Sequence, residues 1–310
     1  MPNAPKHTSP TSGVFAIPIL ACAYALVISP ILLFFTSTPG AGYETRNENK
    51  LFWPALAGIA VIFAAHNLSR GRKVSCPPHI LCLWAYLALA GLSILWAFAP
   101  PLSAVRFAQQ AMVVTSIILP AVLAGRPADL LRGLFLCFAF AVTLNIFFVI
   151  GGRQTIAEGI AIGYSGYFSG KNYLGECGAI ALLLALHEML YRGIRRMVGI
   201  ALAATSIVIL VFANSKTALG LAFLAPLLAG FLLFFRRAMR VSPAVILWVG
   251  VLSYGIFAKI TGFTMNRLSY MLYGDSSFTG RQIIWDFANF EIARRPLLGW
   301  GYQSFWLVGP

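Results

Sequence analysis

A chain of 310 residues that is 59% hydrophobic and only 10% charged is excluded from the soluble globular class and belongs with integral membrane proteins. Its net charge of +14 would point to nucleic acid in a soluble protein. Here the Lys and Arg stand in short clusters between apolar runs, as positive-inside topology requires, so no nucleic-acid partner is expected. Cys22, Cys82, Cys137 and Cys177 fall inside apolar runs and Cys76 in a basic loop, without a C-x-x-C spacing or a His beside them. They read as packing residues rather than metal ligands or redox pairs.

Taken in order, the first apolar run covers 14–35, preceded by Lys6. At about 20 residues it suits a membrane span better than a signal peptide, whose apolar region is about 7 to 15 residues. Further runs follow at 51–68, 80–98, 102–124, 130–150, 173–190, 198–213, 217–235 and 244–260, which makes nine expected spans in an all-α polytopic protein. Alternate loops carry Arg70, Arg72 and Lys73; Arg126 and Arg132; Arg192, Arg195 and Arg196; Arg236, Arg237 and Arg240. The intervening loops hold most of the acids, such as Glu44, Glu48 and Glu158. The basic set is therefore cytoplasmic and the N-terminus inside. Nine spans then leave residues 1–260 as a transmembrane domain and 261–310 as an extracytoplasmic segment. No internal repeat or soluble domain interrupts this pattern, so function must sit on the outer surface or between helices.

Within the last segment, 279–306 reads TGRQIIWDFANFEIARRPLLGWGYQSFW. Thr279 and Gln282 have the spacing of a capping box. Ile283, Ile284, Phe287 and Phe290 recur at helical spacing beside Arg281, Asp286, Glu291, Arg294 and Arg295, until Pro296 and Gly299 stop the helix. The pattern predicts an amphipathic helix on the outer face, too polar to span a membrane.

The outward starts of several helices share a feature that runs against the usual rule. Arg106 follows Ser103, Lys171 and Asn172 follow Ser169, Lys216 follows Asn214 and Ser215, and Arg281 follows Thr279; Ser103, Ser169, Asn214 or Ser215, and Thr279 are the expected N-caps. A helix N-terminus carries roughly half a positive charge, so a cation there costs about 0.3–1 kcal/mol and an acid is the ordinary choice. Free N–H groups, the positive dipole end and an added cation together suit an anion, phosphate above all. The alternative is that these bases snorkel to lipid headgroups. Gln109 and Gln110 stand three and four residues after Arg106, on its helix face, where polar groups in a span need a wet cavity or partners. Trp285, Tyr302, Phe305 and Trp306 could stack on sugar rings or form the interfacial aromatic belt. Outer carboxylates are dispersed and no His stands on the outer face, so no metal or cofactor is expected. Asp275 or Asp286 could serve as a base, though a solvated role fits each as well.

Three segments in order, G-Y-F-S-G-K-N-Y-L-G at 166–175, N-S-K-T-A-L-G at 214–220, and T-G-R-x-x-x-W followed by R-P-L-L-G-W-G-Y-x-x-F-W at 279–306, resemble the O-antigen ligase and polysaccharide polymerase superfamily. The S-K-T form is most similar to its exopolysaccharide polymerase branch, the ExoQ-like proteins. The resemblance runs from about residue 52 onward. It implies a C-type membrane glycosyltransferase fold acting on the outer face of the bacterial inner membrane. The implied activity is inverting and metal-independent: an oligosaccharide on undecaprenyl diphosphate is transferred to an acceptor glycan or lipid, with membrane lipids as surroundings. Residue by residue, it implies that Lys171, Lys216 and Arg281 hold diphosphate, with Arg281 at the reacting centre and Asn172 beside them. Arg106, Gln110 and Trp285 join the expected site from helix-face reasoning. The alternatives are a flippase or transporter of lipid-linked sugar, or an inactive truncated member of the superfamily. Members of the superfamily continue past G-W-G-Y-x-x-F-W into a His-Asn motif and further spans, so the resemblance implies a C-terminally truncated chain.

Overall fold

In the computed structural model, which describes residues 16–36, 47–71, 78–123, 127–152, 154–157, 160–263, 267, 270–271 and 281–308, the apolar runs become helices. The elements are α1 (Ala16–Thr36), α2 (Asn47–Ser69), α3 (Pro78–Leu92, continued by a 3-10 turn, Ser93–Trp96), α4 (Pro100–Leu123) and α5 (Pro127–Ile150). A hairpin of β1 (Gln154–Ala157) and β2 (Ile160–Tyr164) follows. Then come α6 (Lys171–Glu188), α7 (Ile194–Ala213), α8 (Lys216–Met239), α9 (Pro243–Thr261) and α10 (Arg281–Arg294). Four of these helices open on a proline, Pro78, Pro100, Pro127 and Pro243. That is where the missing N–H costs nothing and the fixed φ favours the first turn.

The chain is thus a predominantly helical, multi-pass membrane protein. Among the described residues, seven helices are long and apolar enough to cross a bilayer: α1, α2, α4, α5, α7, α8 and α9. The other two runs expected to span differ for identifiable reasons. The helix α3 has 15 residues, about 22 Å at 1.5 Å per residue, against a hydrocarbon core of about 30 Å. The helix α6 opens on Lys171, Asn172 and Tyr173, carries Glu176, and closes on His187 and Glu188.

The chain divides into two compact units. The first comprises 1–85 and 108–225. In it α6 lies against α7 and α5, and α1 lies against α5. The shared core includes Phe138, Val142, Leu174, Leu182, Ile209 and Leu210. Small residues let these helices approach; a Cβ on Gly175 would come within 2.8 Å of the Ala218 Cβ and 2.9 Å of the Ser215 Cβ. Close backbone approach of this kind replaces the hydrophobic drive that lipid removes. Within α1, Pro30 cannot donate to the Leu26 carbonyl. The helix widens into a π turn over Tyr24–Ile28, and the Leu26 oxygen accepts from the Tyr167 hydroxyl at 2.7 Å.

The second unit comprises 86–107 and 226–310. Its C-terminal loop is fastened to the 93–106 stretch by side-chain and backbone bonds. Trp96 Nε1 donates to the Leu298 carbonyl (2.8 Å), Phe98 N to the Trp300 carbonyl (2.9 Å) and Tyr302 N to Ser93 Oγ (3.0 Å). Ser103 Oγ donates to the Tyr302 carbonyl (2.7 Å) and Ala99 N to Ser304 Oγ (3.1 Å). Ser103 was expected to cap its helix, but α4 starts at Pro100 and Ser103 is fully buried in the first turn. The expected amphipathic helix forms as α10, and it ends at Arg294, just before Pro296 and the left-handed Gly299. Its inward side is not the apolar one. Ile283, Ile284 and Phe290 are exposed, and the buried residue is Glu291. Glu291 is held by Arg294 Nη1 at 2.9 Å and 3.2 Å, while Trp300 Nε1 donates to its backbone carbonyl at 3.2 Å. Gln282 donates to Asp286 Oδ1 at 3.0 Å rather than turning back toward a cap. Thr279, the expected cap, lies outside the described residues.

Candidate functional site

Two of the four cation-bearing helix starts come together in the first unit. The helix α7 ends at Ala213, Asn214 takes the left-handed conformation (φ 47°, ψ 41°), and α8 begins at Lys216. Asn is the non-glycine residue that best tolerates that conformation, so the turn needs only Asn214 and Ser215. Ser215 Oγ accepts from Ala218 N at 3.4 Å, the cap expected for α8. The same hydroxyl donates to Asn172 Oδ1 at 3.1 Å, which fastens the first turn of α6 to the start of α8.

The start of α6 differs from expectation in one respect. Its N-cap is Gly170, in extended conformation, rather than Ser169, and no side chain caps it. A glycine cap has no side-chain oxygen with which to cover the orphan first-turn N–H groups, and these stand at the positive end of the helix dipole. Lys171 adds a charge there. Its Nζ donates to the Ile162 carbonyl at 3.0 Å and to the Asn214 carbonyl at 3.2 Å. Burial first, and then the charge of Lys216, hold its pKa below the ordinary lysine value. A lowered pKa from a like charge means that the two ammonium groups feel each other.

Lys171, Asn172, Ser215 and Lys216 thus form one cluster around two adjoining helix starts. The loop into it is fixed from below. Asn145, fully buried in α5, accepts from Tyr167 N at 3.1 Å and donates to the Ala141 carbonyl at 2.9 Å. Comparison of the chain with protein-family models, with characterised proteins and with solved structures gave no match. The site must therefore be read from its own geometry.

The remaining expected residues occupy different settings. Gln110 is half-buried in α4, within the first unit. Arg106 belongs to the second unit, where its Nη1 donates to the Gln303 carbonyl. Gln303 has φ 51°, and that left-handed turn aims its carbonyl at the guanidinium. Arg281 opens α10, and its side chain lies outside the described residues. Trp285 is exposed on the same helix. Of the candidate bases, Asp286 is exposed and bonded to Gln282, and Asp275 lies outside the described residues. No group of three or more His, Cys, Asp or Glu side chains able to hold a metal occurs among the described residues.

Proposed function

We propose that the lysine pair binds the diphosphate of a lipid-linked oligosaccharide, and that the protein is a metal-independent, inverting glycosyltransferase of the polysaccharide polymerase or O-antigen ligase type. The observation that carries this reading is the convergence of Lys171 and Lys216 on two adjoining helix N-termini, joined by the Ser215–Asn172 bond. Two cations at two positive dipole ends suit an anion, and a diphosphate supplies two phosphoryl groups for them. The multi-pass helical architecture gives an amphiphilic donor access from the bilayer. Undecaprenyl diphosphate is the donor carrier in this reading, a glycan or lipid is the acceptor, and the bacterial inner membrane with a cytoplasmic N-terminus is the setting.

In the reaction, the acceptor hydroxyl oxygen attacks the anomeric carbon as its bond to the diphosphate oxygen breaks. The hydroxyl proton passes to a base, and the electron pair leaves with the diphosphate. Lys171 and Lys216 stabilise the charge that develops there; such preorganised electrostatic contributions reach about 3–4 kcal/mol per donor in low-dielectric sites. Asn172 and Gln110, in the same unit, would add hydrogen bonds.

The test is glycan transfer in membranes from cells that make undecaprenyl diphosphate-linked oligosaccharide. Lys171→Ala and Lys216→Ala should each abolish polymer extension or ligation while the protein still inserts at normal level. Unchanged product length in both variants would refute the assignment. Accumulation of donor on the inner leaflet would instead indicate a flippase.

A further inference from the structure

We propose that Asn214 is a positioning residue that fixes where the Lys171 ammonium stands beside Lys216. The inference rests on reading the lysine pair as an anion site, and it adds a residue whose sequence signature is only that of a helix end. Asn214 acts on Lys171 in two ways at once. Its carbonyl accepts from Lys171 Nζ at 3.2 Å, and its carboxamide Nδ2 donates at 3.2 Å to the Ile162 carbonyl, which accepts from the same Nζ at 3.0 Å. A carbonyl oxygen has two lone pairs, so Ile162 can serve both donors. The result is a closed triangle of Lys171, Asn214 and Ile162, contributed by the start of α6, the α7–α8 turn and the middle of β2.

The surrounding chain is shaped to close that triangle. The left-handed backbone of Asn214 turns its carbonyl toward Lys171 while α8 starts two residues later. Gly163, next to Ile162, has no room for a side chain, because a Cβ would strike the Ala213 carbonyl oxygen. Tyr164 sets its ring edge-on against Phe212, with centroids 5.2 Å apart, so β2 is held on the helix end from a second side. A lysine head on a flexible four-carbon stem becomes a directed donor only when such partners fix it, and preorganisation of this kind gives affinity by reducing the cost of ordering on binding.

The experiment uses the full chain in detergent or nanodiscs, with two readouts. Acetic anhydride labelling of Lys171 across pH, followed by mass spectrometry, reports the protonation and access of that amine directly. Calorimetry with inorganic pyrophosphate reports anion affinity. Asn214→Gly retains a residue at ease with φ 47° and deletes only the carboxamide. It should speed Lys171 labelling and weaken pyrophosphate binding about five-fold, the loss of one ordinary hydrogen bond. Asn214→Asp keeps the side-chain size, and should move the Lys171 labelling profile to higher pH by setting a carboxylate beside the ammonium.

An Asn214→Gly protein with parental labelling and parental pyrophosphate affinity would overturn the proposal, since Asn214 would then be only a turn residue. So would an Asn214→Asp protein whose Lys171 profile does not move, and this variant decides the matter if the glycine variant fails to fold. Failure of the parent to bind pyrophosphate would sink the anion reading instead, leaving the labelling profiles to judge the positioning role. Altered labelling and binding in Asn214→Gly with normal glycan transfer would uphold positioning and refute the glycosyltransferase assignment.

Discussion

Removing Lys216 should raise the pKa of Lys171 and weaken anion affinity. In the unliganded protein Lys216 disfavours the charged form of Lys171. The effect reads out in the pH dependence of stability. The folded-state pKa of Lys171 is lowered, so between that value and the ordinary lysine value of about 10.4 the unfolded chain binds more protons than the folded one. Stability then rises with pH through that window, and below it the full penalty of the charged pair is present. In Lys216→Ala the window narrows because one cause of the shift is gone, although burial, the larger cause, remains. With anion bound the balance reverses. One lost charge-assisted hydrogen bond is worth about 1.5–3 kcal/mol, or about 10- to 100-fold in pyrophosphate affinity. Thermal unfolding at several pH values and calorimetry on Lys171→Ala, Lys216→Ala and the double variant measure both effects. A shared anion requires a non-zero coupling energy in the double-mutant cycle. Strict additivity, or a Lys216→Ala protein with the parental pH window and the parental affinity, would refute the paired-cation reasoning.

Gly175→Val should force apart the starts of α6 and α8, because a Cβ there meets Ser215 and Ala218 at under 3.0 Å; the expected cost is about 1–3 kcal/mol, with pyrophosphate binding lost in parallel, both read on the purified protein. Ser206→Ala should raise the melting temperature, since the fully buried Ser206 hydroxyl has no hydrogen-bond partner among the described residues and its removal is worth about 1 kcal/mol. Arg294→Ala should destabilise the C-terminal loop more than Glu291→Gln does, by about 3 kcal/mol, because it strands a carboxylate that is 1% exposed; limited proteolysis around 295–304 and Trp fluorescence follow it.

Seven of the nine expected spans were legible, because twenty-odd apolar residues between proline and basic clusters leave few alternatives to a helix. Helix starts and stops were legible where punctuation is chemical, as at Ser215 before α8 and at Pro296 after α10. Two of the four cations flagged by their position, Lys171 and Lys216, do come together. What failed were inferences that assign a direction to a side chain. Ser103 looks like a cap and instead reaches Tyr302, about 200 positions away in sequence. Gln282 fits a capping box and instead pairs with Asp286. The inward face of α10 was misread because hydrophobic spacing predicts which residues avoid water, and in a membrane protein an exposed Ile283 or Phe290 need not be in water at all. Asn145 and Asn214 went unseen as site residues, since a lone Asn carries no spacing signal. An Asn directly before a Ser-Lys helix start is a visible C-cap, but the reach of its carboxamide to Ile162 depends on where β2 docks.

Arg106 shows how one sequence signature covers two physical solutions. A cation in the opening turns of a helix needs negative charge density nearby, and either a bound anion or the chain's own carbonyls can provide it. Arg106 takes the second course, on a carbonyl delivered by the left-handed turn at Gln303, and is accounted for without a ligand as the anchor of the 295–304 loop. Lys171 also donates to two carbonyls, but it stands beside a second cation, Lys216, at an adjoining helix start. The distinction predicts separable phenotypes. Arg106→Lys, which keeps the charge but loses the planar fork, should loosen the C-terminal loop and leave pyrophosphate affinity intact. Lys171→Arg should keep the fold and change the affinity. If Arg106→Lys weakens pyrophosphate binding as much as Lys171→Ala does, the distinction between the two cations fails.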